Sequence, residues 1–314
     1  MASQTDILDR LPENSRVAVV RLRSLGDCIL TTPAITLLER YRPDVHLRIV
    51  VEDRFAAIFG ARAMRPDVRT LRAFGPRLCI NLHGGTRSAR LTLLSGARYR
   101  AGFDMFRPSW VYNIRIPTAQ VVLGVSRRVH TAEHLASAMY HLGVDTSMTV
   151  PAASMHTEPG PSPLAPPGDY AVIHPFAATP EKTWPSERFL QIAKHLETVA
   201  GLTPVFVGTK TDDFSPFAHY PTAAGAPLAE LARLMRDARF FVGNDSGPAH
   251  MAAAFRLPQV VVFGPSDAEI WKPWCAANEV LQANDISSIP VERALAAVDR
   301  LVLPLLAHLR QRGL

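Results

Sequence analysis

Side chains that could do chemistry stand at three separate places in this sequence. Asp27 is a candidate base, in the polar loop that follows the apolar run at residues 16–22. Lys182, in a loop after another apolar run, is a candidate cation for a leaving phosphate. Asp245 and Ser246 precede an apolar helical stretch, and a helix N-terminus binds phosphate through its backbone N–H groups and dipole. Ordinary helix capping is the alternative interpretation of Asp27 and of the Asp245 turn.

A second set of polar residues could hold ligands rather than react. A glycine-rich turn after the apolar run at residues 78–82 leads into a helix with arginines, which bind carboxylate or phosphate in a bidentate manner. Arginines on a solvated face are the commoner case. Two further loops offer Thr179 before Lys182 and the acids that follow residues 205–207. The candidate ligand-binding residues are Thr179, Asp212, Asp245, Ser246, Gly247 and His250 on one side, and His83, Gly84, Arg87 and Arg90 on the other.

The elements that must position these residues alternate between strand and helix. Residues 240–265 predict strand, tight turn, short helix and second strand within 26 residues, which implies parallel strands and a right-handed crossover. Further apolar runs predict strands at residues 16–22, 47–51, 78–82, 170–174 and 205–207. The alternation predicts an α/β fold, in which ligands bind outside the carboxyl ends of parallel strands. The first helix either begins near Asp27 and kinks at Pro33, or begins after a Thr32 cap.

Length and composition predict two domains. The chain has 314 residues, and residues 155–169 contain five prolines without periodicity, as in a linker. We expect domains at residues 1–155 and 170–290, a linker at residues 156–169, and a helix at residues 291–314 that packs across both domains. A helix lying on a membrane surface is the alternative for this last segment.

Net charge and cysteine usage indicate which ligands and which cell compartment suit this protein. The formal net charge of +6 suits an anionic ligand or an anionic membrane surface. Three separated cysteines without metal-ligand spacing indicate a reducing cytoplasm. The first residues lack an apolar signal core, and no run is long enough for a membrane span, so we expect neither standard export nor an integral protein.

Several enzyme classes lack their motifs here. No GxGxxG follows the first strand, and no P-loop, GxSxG elbow or HExxH is present. A base, a cation for a leaving phosphate and a helix terminus suited to a diphosphate remain, and this combination favours glycosyl transfer.

Four segments also carry a family resemblance. The chain resembles the family 9 glycosyltransferases, the lipopolysaccharide heptosyltransferases, in VAVVRLRSLGDCILTTPAI, in NLHGGTRSARL with RAGF, in HPFAATPEKTWP, and in FFVGNDSGPAHMAAAFRLPQVVVFGPSD. The resemblance extends from about residue 16 to about residue 275. It implies a GT-B fold, with two Rossmann-like domains facing across a cleft: acceptor bound by the first, donor bound mainly by the second.

The resemblance also implies a reaction. It implies inverting transfer of a heptose from ADP-heptose to a Kdo or heptose–lipid A acceptor, with no metal and no cofactor. The family's catalytic aspartate falls on Asp27, and its lysine before Trp-Pro falls on Lys182. The family's D-[ST]-G-x-x-H turn falls on residues 245–250. The chain departs from the family at residues 176–178, where Phe-Ala-Ala stands in a loop in which related enzymes often have glycine or hydroxyl residues. Some relatives have a glutamate after the strand at residues 205–207 that helps to hold the nucleoside, and here Asp212 or Asp213 is the nearest acid.

Two other functions stay open at this stage. The protein could be a GT-B enzyme that uses another nucleotide sugar, as a transferase or an epimerase, or a non-catalytic nucleotide-sugar-binding protein. We expect a nucleotide sugar and an anionic lipid-linked saccharide as partners, and no nucleic acid, because no basic stripe with interleaved aromatic residues is evident. The expected location is the cytoplasm, with contact to the inner membrane left open.

Overall fold

The structure is a computed structural model that describes residues 5–311, with side chains described up to Pro304. It divides into two compact units between His156 and Thr157, at the start of the proline-rich segment. Unit 1 is the part before this division, and unit 2 is the part after it. No helix among residues 5–311 is both long and apolar enough to cross a bilayer.

Unit 1 is built on one parallel sheet, with strand order β3-β2-β1-β4-β5-β6 among its described residues. Its strands are β1 Arg16–Val20, β2 His46–Val50, β3 Ala63–Met64, β4 Leu78–Asn81, β5 Tyr99–Phe103 and β6 Ile114–Ile116. Its α-helices are α1 Leu25–Tyr41, α2 Val68–Phe74, α3 Thr86–Leu94, α4 Ala119–Leu123 and α5 Thr131–Leu142.

Unit 2 repeats this arrangement, with strand order β12-β11-β10-β7-β8-β9 in a second parallel sheet. Its strands are β7 Tyr170–His174, β8 Thr203–Gly208, β9 Thr222–Ala224, β10 Phe240–Asn244, β11 Gln259–Phe263 and β12 Asn278–Gln282. Its α-helices are α6 Ser186–Ala200, α7 Leu228–Asp237, α8 Gly247–Ala254, α9 Ala268–Trp271 and α10 Val291–Gln311.

In both units the strand order reverses between the two central strands. β1 pairs with β4 in unit 1, and β7 pairs with β10 in unit 2, all in parallel. The loops that follow such a pair diverge to opposite faces of the sheet and leave a crevice between them, where open α/β sheets bind their ligands. The loops of interest are therefore those after β1 and β4 and those after β7 and β10.

Buried apolar strands hold each unit together. Every residue is buried in four of the central strands, as expected for parallel strands covered on both faces: β4, β7, β10 and β11. In unit 2 they pack with Trp184, Phe189 and Phe206, all fully buried. The amphipathic face of α6 supplies the apolar residues that cover this sheet.

The predicted strands and helices are largely present, with specific differences. The first helix begins at Leu25 with Ser24 as its N-cap and continues through Pro33, so the start near Asp27 is confirmed and the Thr32 cap is wrong. Thr32 lies inside the helix, where its hydroxyl donates to the carbonyl of Ile29 at 2.7 Å. Short outer strands escaped prediction, because runs of only two to five residues carry little periodicity: β3, β5, β6, β9 and β12.

The C-terminal helix α10 spans most of the segment where a helix was expected. Its described side chains Ala294, Ala297, Val298 and Val302 are buried in the apolar cluster of unit 2. Pro304 lies within the helix. Its packing across both domains stays a prediction, and residues 312–314 lie outside the described residues.

Candidate functional site

The first half of the candidate site lies at the strand-order reversal of unit 1. Asp27 is in the first turn of α1, directly after the β1 loop, and its carboxylate accepts a hydrogen bond from the Ser24 hydroxyl at 3.0 Å. Ser24 and Asp27 form a capping box, so the carboxylate also stabilises the start of the helix. The Asp27 side chain is 29% exposed and is therefore accessible to a substrate.

Asp27 is held by a buried arginine. Arg21, whose side chain is 8% exposed, forms an ion pair with Asp27 through one guanidinium nitrogen and donates to the carbonyl of Leu82 through another. This places one guanidinium between the β1 loop and the β4 loop. Arg21 thus fixes the orientation of the candidate base.

The turn after β4 is organised by an amide. Asn81, the last residue of β4 and fully buried, accepts from the backbone N–H groups of His83 at 3.0 Å and Gly84 at 3.1 Å. Gly84 has φ +73°, and a Cβ there would lie 2.9 Å from the Phe106 ring, so glycine is required on two grounds. Burial and then the Arg21 guanidinium lower the pKa of the half-buried His83, which favours its neutral form.

The two predicted acceptor-binding arginines are exposed at the start of α3. Arg87 forms an ion pair with Glu52 at 2.9 Å, and Arg90 is exposed one turn further along. The carboxylate of Glu52 also accepts from Arg54 at 2.9 Å. The predicted residues Asp27, His83 and Gly84 thus come together around Arg21, and Arg87 and Arg90 lie on the helix that follows their turn.

The second half of the candidate site lies at the strand-order reversal of unit 2. Lys182 ends a short 3-10 helix in the loop after β7, and Asp245 follows β10. The Lys182 Nζ atom lies 3.0 Å from an Asp245 carboxylate oxygen. A lysine ammonium has three donors, so this ion pair positions Lys182 and leaves donors for a ligand.

The turn into α8 presents backbone rather than side-chain donors. Ser246 is the N-cap of α8, but its hydroxyl turns inwards, donating to the carbonyl of Asn244 at 3.0 Å and contacting the His174 Nδ1 atom at 3.0 Å. The Ser246 side chain therefore makes no capping hydrogen bond to the first turn of α8. Pro248 has no N–H, and the Ala249 N–H donates to the carbonyl of Ser246 at 3.1 Å, so the backbone N–H groups of Ser246 and Gly247 are the donors that this helix start offers to an anion.

A second asparagine spans the loop that carries Lys182. Asn244, the last residue of β10 and fully buried, donates to the carbonyl of Pro175 at 2.9 Å and accepts from the backbone N–H of Trp184 at 3.1 Å. The Trp184 ring is itself fully buried, and its indole N–H donates to the carbonyl of Ile289 at 3.0 Å. Both ends of the loop are therefore fixed to the sheet.

The remaining predicted donor-site residues have local contacts. The exposed Thr179 accepts from the backbone N–H of Lys182 at 3.1 Å through its carbonyl. Asp212 accepts from the Thr209 backbone N–H at 2.6 Å and so closes the turn after β8. His250 is buried within α8. Gly247 begins that helix.

Sequence reasoning missed Arg21, Asn81, Asn244 and His174. Burial lowers the pKa of His174 to about 4, which keeps its ring neutral beside Ser246. A signal existed for the two asparagines: each ends a buried strand, where asparagine is a poor strand former. No feature of the sequence indicated that Arg21 would be buried. Among the side chains that the structure describes, residues 5–304, no group of three or more His, Cys, Asp or Glu is arranged to hold a metal ion.

Comparisons with known proteins identify the family. The family model for glycosyltransferase family 9 (heptosyltransferase) matches residues 68–296. Lipopolysaccharide heptosyltransferase 3 of Escherichia coli is 26% identical, over 90% of this chain and 97% of that protein.

Solved structures show the same fold. The glycosyl transferase family 9 structure from Veillonella parvula DSM 2008 superposes with a TM-score of 0.81 at 21% identity, covering 96% of this chain and 99% of that one. Escherichia coli heptosyltransferase WaaC with ADP gives a TM-score of 0.72 at 20% identity, covering 91% and 99%. The expected GT-B fold is thereby confirmed. The protein belongs to glycosyltransferase family 9, and it is a glycosyltransferase.

Proposed function

We propose that this enzyme transfers a heptose from ADP-heptose to a lipopolysaccharide inner-core acceptor, with inversion at the anomeric carbon and without a metal ion. The relative from Escherichia coli is named as a lipopolysaccharide heptosyltransferase, and the solved heptosyltransferase contains ADP. These names support the heptose, the ADP group and the acceptor class. The observation that carries the proposal is the position of Lys182 against Asp245, immediately before α8.

Unit 2 would bind the donor and stabilise the leaving group. Breaking the anomeric bond places negative charge on the departing ADP. Lys182 and the N–H groups of Ser246 and Gly247 would stabilise that charge as preorganised donors, with Thr179 and His250 close by in sequence. Asp212 would contact the nucleoside, with Asp213 as the alternative. A positive side chain and a helix N-terminus together can perform the electrostatic role that other transferases give to a divalent ion.

Unit 1 would bind the acceptor and activate it. Asp27 would accept the proton of the attacking hydroxyl, which approaches the sugar from the face opposite to ADP and so inverts the anomeric centre. A carboxylate suffices for this step when the sugar already carries positive charge, because the proton then moves late. Arg21 and Ser24 hold the carboxylate in place.

The acceptor determines where the enzyme acts. Arg87 and Arg90 would hold anionic groups of a Kdo-containing acceptor, with His83 and Gly84 forming the floor of that site. Such an acceptor is anchored in lipid, so we place the reaction at the cytoplasmic face of the inner membrane. The helix α10 would complete the arrangement by packing across both domains.

Incubation with defined substrates tests the proposal. The full chain is mixed with ADP-heptose and a panel of truncated core acceptors, with a chelator present, and the products are read by mass. We expect one acceptor to gain a single heptosyl group. Transfer only from another nucleotide sugar, transfer only with added metal, or donor binding without any transfer would each contradict the proposal.

A further inference from the structure

Exposed apolar side chains are concentrated in one part of unit 1. Five large hydrophobic side chains are exposed among the described residues, and three of them are Met105 at 55%, Trp110 at 66% and Val121 at 48%. Met105 and Trp110 lie in the loop between β5 and β6, and Val121 lies in α4, directly after β6. A concentration of exposed apolar side chains indicates a contact surface.

These three residues flank the edge strand β6 in the chain, two before it and one after it. β5 and β6 are parallel with Phe103 opposite Ile116, and β6 has a sheet neighbour on one side in the described chain. The backbone N–H of Asp104 donates to the carbonyl of Ile116 at 2.8 Å, so the loop leaves β5 beside the end of β6. We name the loop 104–113, strand β6 and helix α4 together the β6 surface.

Buried side chains anchor the loop of the β6 surface to unit 1. Val111 and Tyr112 are buried and pack with the half-buried Phe106 against α3. The Arg100 Nε atom donates to the carbonyl of Val111 at 2.9 Å. The side chains that remain on the outside, including Trp110, are therefore presented by a loop with its own apolar anchor, which reduces the entropy lost on binding.

The charge around this surface is positive. Unit 1 contains 21 arginines, no lysine and 12 acidic residues, giving a formal net charge of +9, whereas unit 2 has 13 basic and 16 acidic residues, giving −3. Residues 104–128 hold four arginines and one acidic residue; Arg115 lies 4.0 Å from Asp104, and Arg127 forms an ion pair with Glu133 at 2.5 Å. The exposed Arg107 donates to the carbonyls of Asp104 at 2.7 Å and Phe106 at 3.3 Å, so these two bonds leave its charge uncompensated.

We propose that the β6 surface docks the enzyme onto a lipid bilayer with anionic headgroups. Tryptophan prefers the interface between headgroups and acyl chains, and arginines near an anionic bilayer are attracted to it. Apolar side chains among arginines therefore fit a lipid surface. Pairing of two copies through this surface is disfavoured, because a two-fold axis would bring the same arginines together. The assignment rests on the proposed membrane location, for which it supplies the contact.

Vesicle co-sedimentation of the full chain tests the assignment. The vesicles are phosphatidylcholine alone, or phosphatidylcholine with phosphatidylglycerol. We expect binding to the anionic vesicles that weakens with salt. Arg107→Gln should weaken binding about fivefold, and Trp110→Ala with Met105→Ala should weaken it roughly tenfold.

Matched controls lie outside the β6 surface. Val199→Ala removes an exposed apolar side chain from unit 2, and Arg69→Gln removes an exposed arginine from α2; both should bind as the wild type does. Absent binding to anionic vesicles, equal binding to neutral vesicles, or variants no weaker than their controls would overturn the assignment. A Trp110→Ala change that alters oligomeric state in sedimentation velocity, and not vesicle binding, would also overturn it.

Failure of the docking surface and failure of the proposed reaction are distinguishable. Transfer to a water-soluble truncated acceptor needs no membrane, so the Trp110 and Arg107 variants should keep their rates with it. Lost vesicle binding with intact transfer supports the assignment. Lost transfer with the soluble acceptor would show that these residues act in catalysis or folding, which overturns it.

Discussion

Lys182 and Asp245, separated by 63 positions in the chain, form an ion pair of 3.0 Å at the strand-order reversal of unit 2. The Asp245 side chain is 8% exposed and the Lys182 side chain 36% exposed. The carboxylate is thus the fixed partner, and the ammonium group is the one available to a ligand. This relationship joins the two loops on which donor binding is proposed to depend.

Lys182→Met should weaken binding of ADP. Loss of a charge-assisted hydrogen bond costs about 1.5–3 kcal/mol, which corresponds to roughly tenfold to hundredfold in affinity. Titration calorimetry with ADP measures this change. Lys194→Met, at an exposed position of α6, is the matched control and should leave the affinity unchanged. Wild-type ADP affinity in Lys182→Met would remove this lysine from the donor site.

Arg21→Met should lower turnover through Asp27. The change leaves the Asp27 carboxylate and the Leu82 carbonyl without their guanidinium partner, at a stability cost of about 3 kcal/mol. We expect kcat to fall at least about tenfold, with the KM for the donor unchanged, because donor contacts are proposed for unit 2. Arg21→Lys keeps a positive charge but loses the planar guanidinium geometry, so its kcat should lie between that of wild type and that of Arg21→Met.

A purely structural role of Arg21 would give a different pattern. Urea denaturation measures the stability of both variants. If the folded fraction of Arg21→Met turned over at the wild-type rate, the arginine would only support the fold.

Asn244→Asp should loosen the loop that carries Lys182. Aspartate cannot donate to the carbonyl of Pro175, and it places a negative charge beside that carbonyl. We expect the KM for the donor to rise roughly tenfold, with the midpoint of thermal unfolding lowered. Asn278→Asp, which removes a side-chain donor to the carbonyl of Ala276 at the start of β12, is a control distant in sequence. An unchanged donor KM in Asn244→Asp would refute this positioning role.

His174 should make stability depend on pH. Its pKa is about 4 in the folded chain against 6.5 for the free side chain, because burial disfavours the charged ring. Below the unfolded pKa the unfolded chain binds a proton that the folded chain does not, so stability falls as pH drops from about 6.5 towards 4, by about 3 kcal/mol in all.

Urea unfolding followed by tryptophan fluorescence checks this pH dependence. The free energy of unfolding of the wild type should fall by about 2 kcal/mol between about pH 7.5 and pH 5 because of His174 alone. His174→Gln keeps a hydrogen-bonding group beside Ser246 and has no titration, so its loss over this interval should be smaller by that amount. Identical pH dependence in both proteins would show that His174 does not titrate as described.

The sequence predicted the central strands well, because their apolar runs are long and end at polar turns. It also placed the loops after β1, β4, β7 and β10 at the carboxyl edge, which follows from parallel alternation. The outer strands were missed, since β6 has three residues and β3 has two. Their pairing depends on neighbouring strands, which local periodicity does not contain.

Within the site, the sequence predicted residue types and not their partners. Asp27 and Lys182 followed from loop position and family resemblance. The ion pairs of Asp27 with Arg21 and of Lys182 with Asp245 depend on which loops the sheet brings side by side. Arg21 directly follows β1, and no residue pattern distinguishes a buried arginine there from an exposed one.

Transfer by wild type and by Asp27→Asn in parallel tests the central claim most directly. Asparagine can still accept a hydrogen bond at the start of α1, so the fold should persist, while loss of the base should slow turnover by about 10²- to 10⁴-fold. Asp53→Asn, at an exposed aspartate of the same unit, is the control. With ADP-heptose and a matching acceptor, mass spectrometry should show the heptosylated product with wild type and the control, and almost none with Asp27→Asn at equal ADP affinity. Equal product from Asp27→Asn, or no heptosylated product from wild type with any acceptor, would contradict the account.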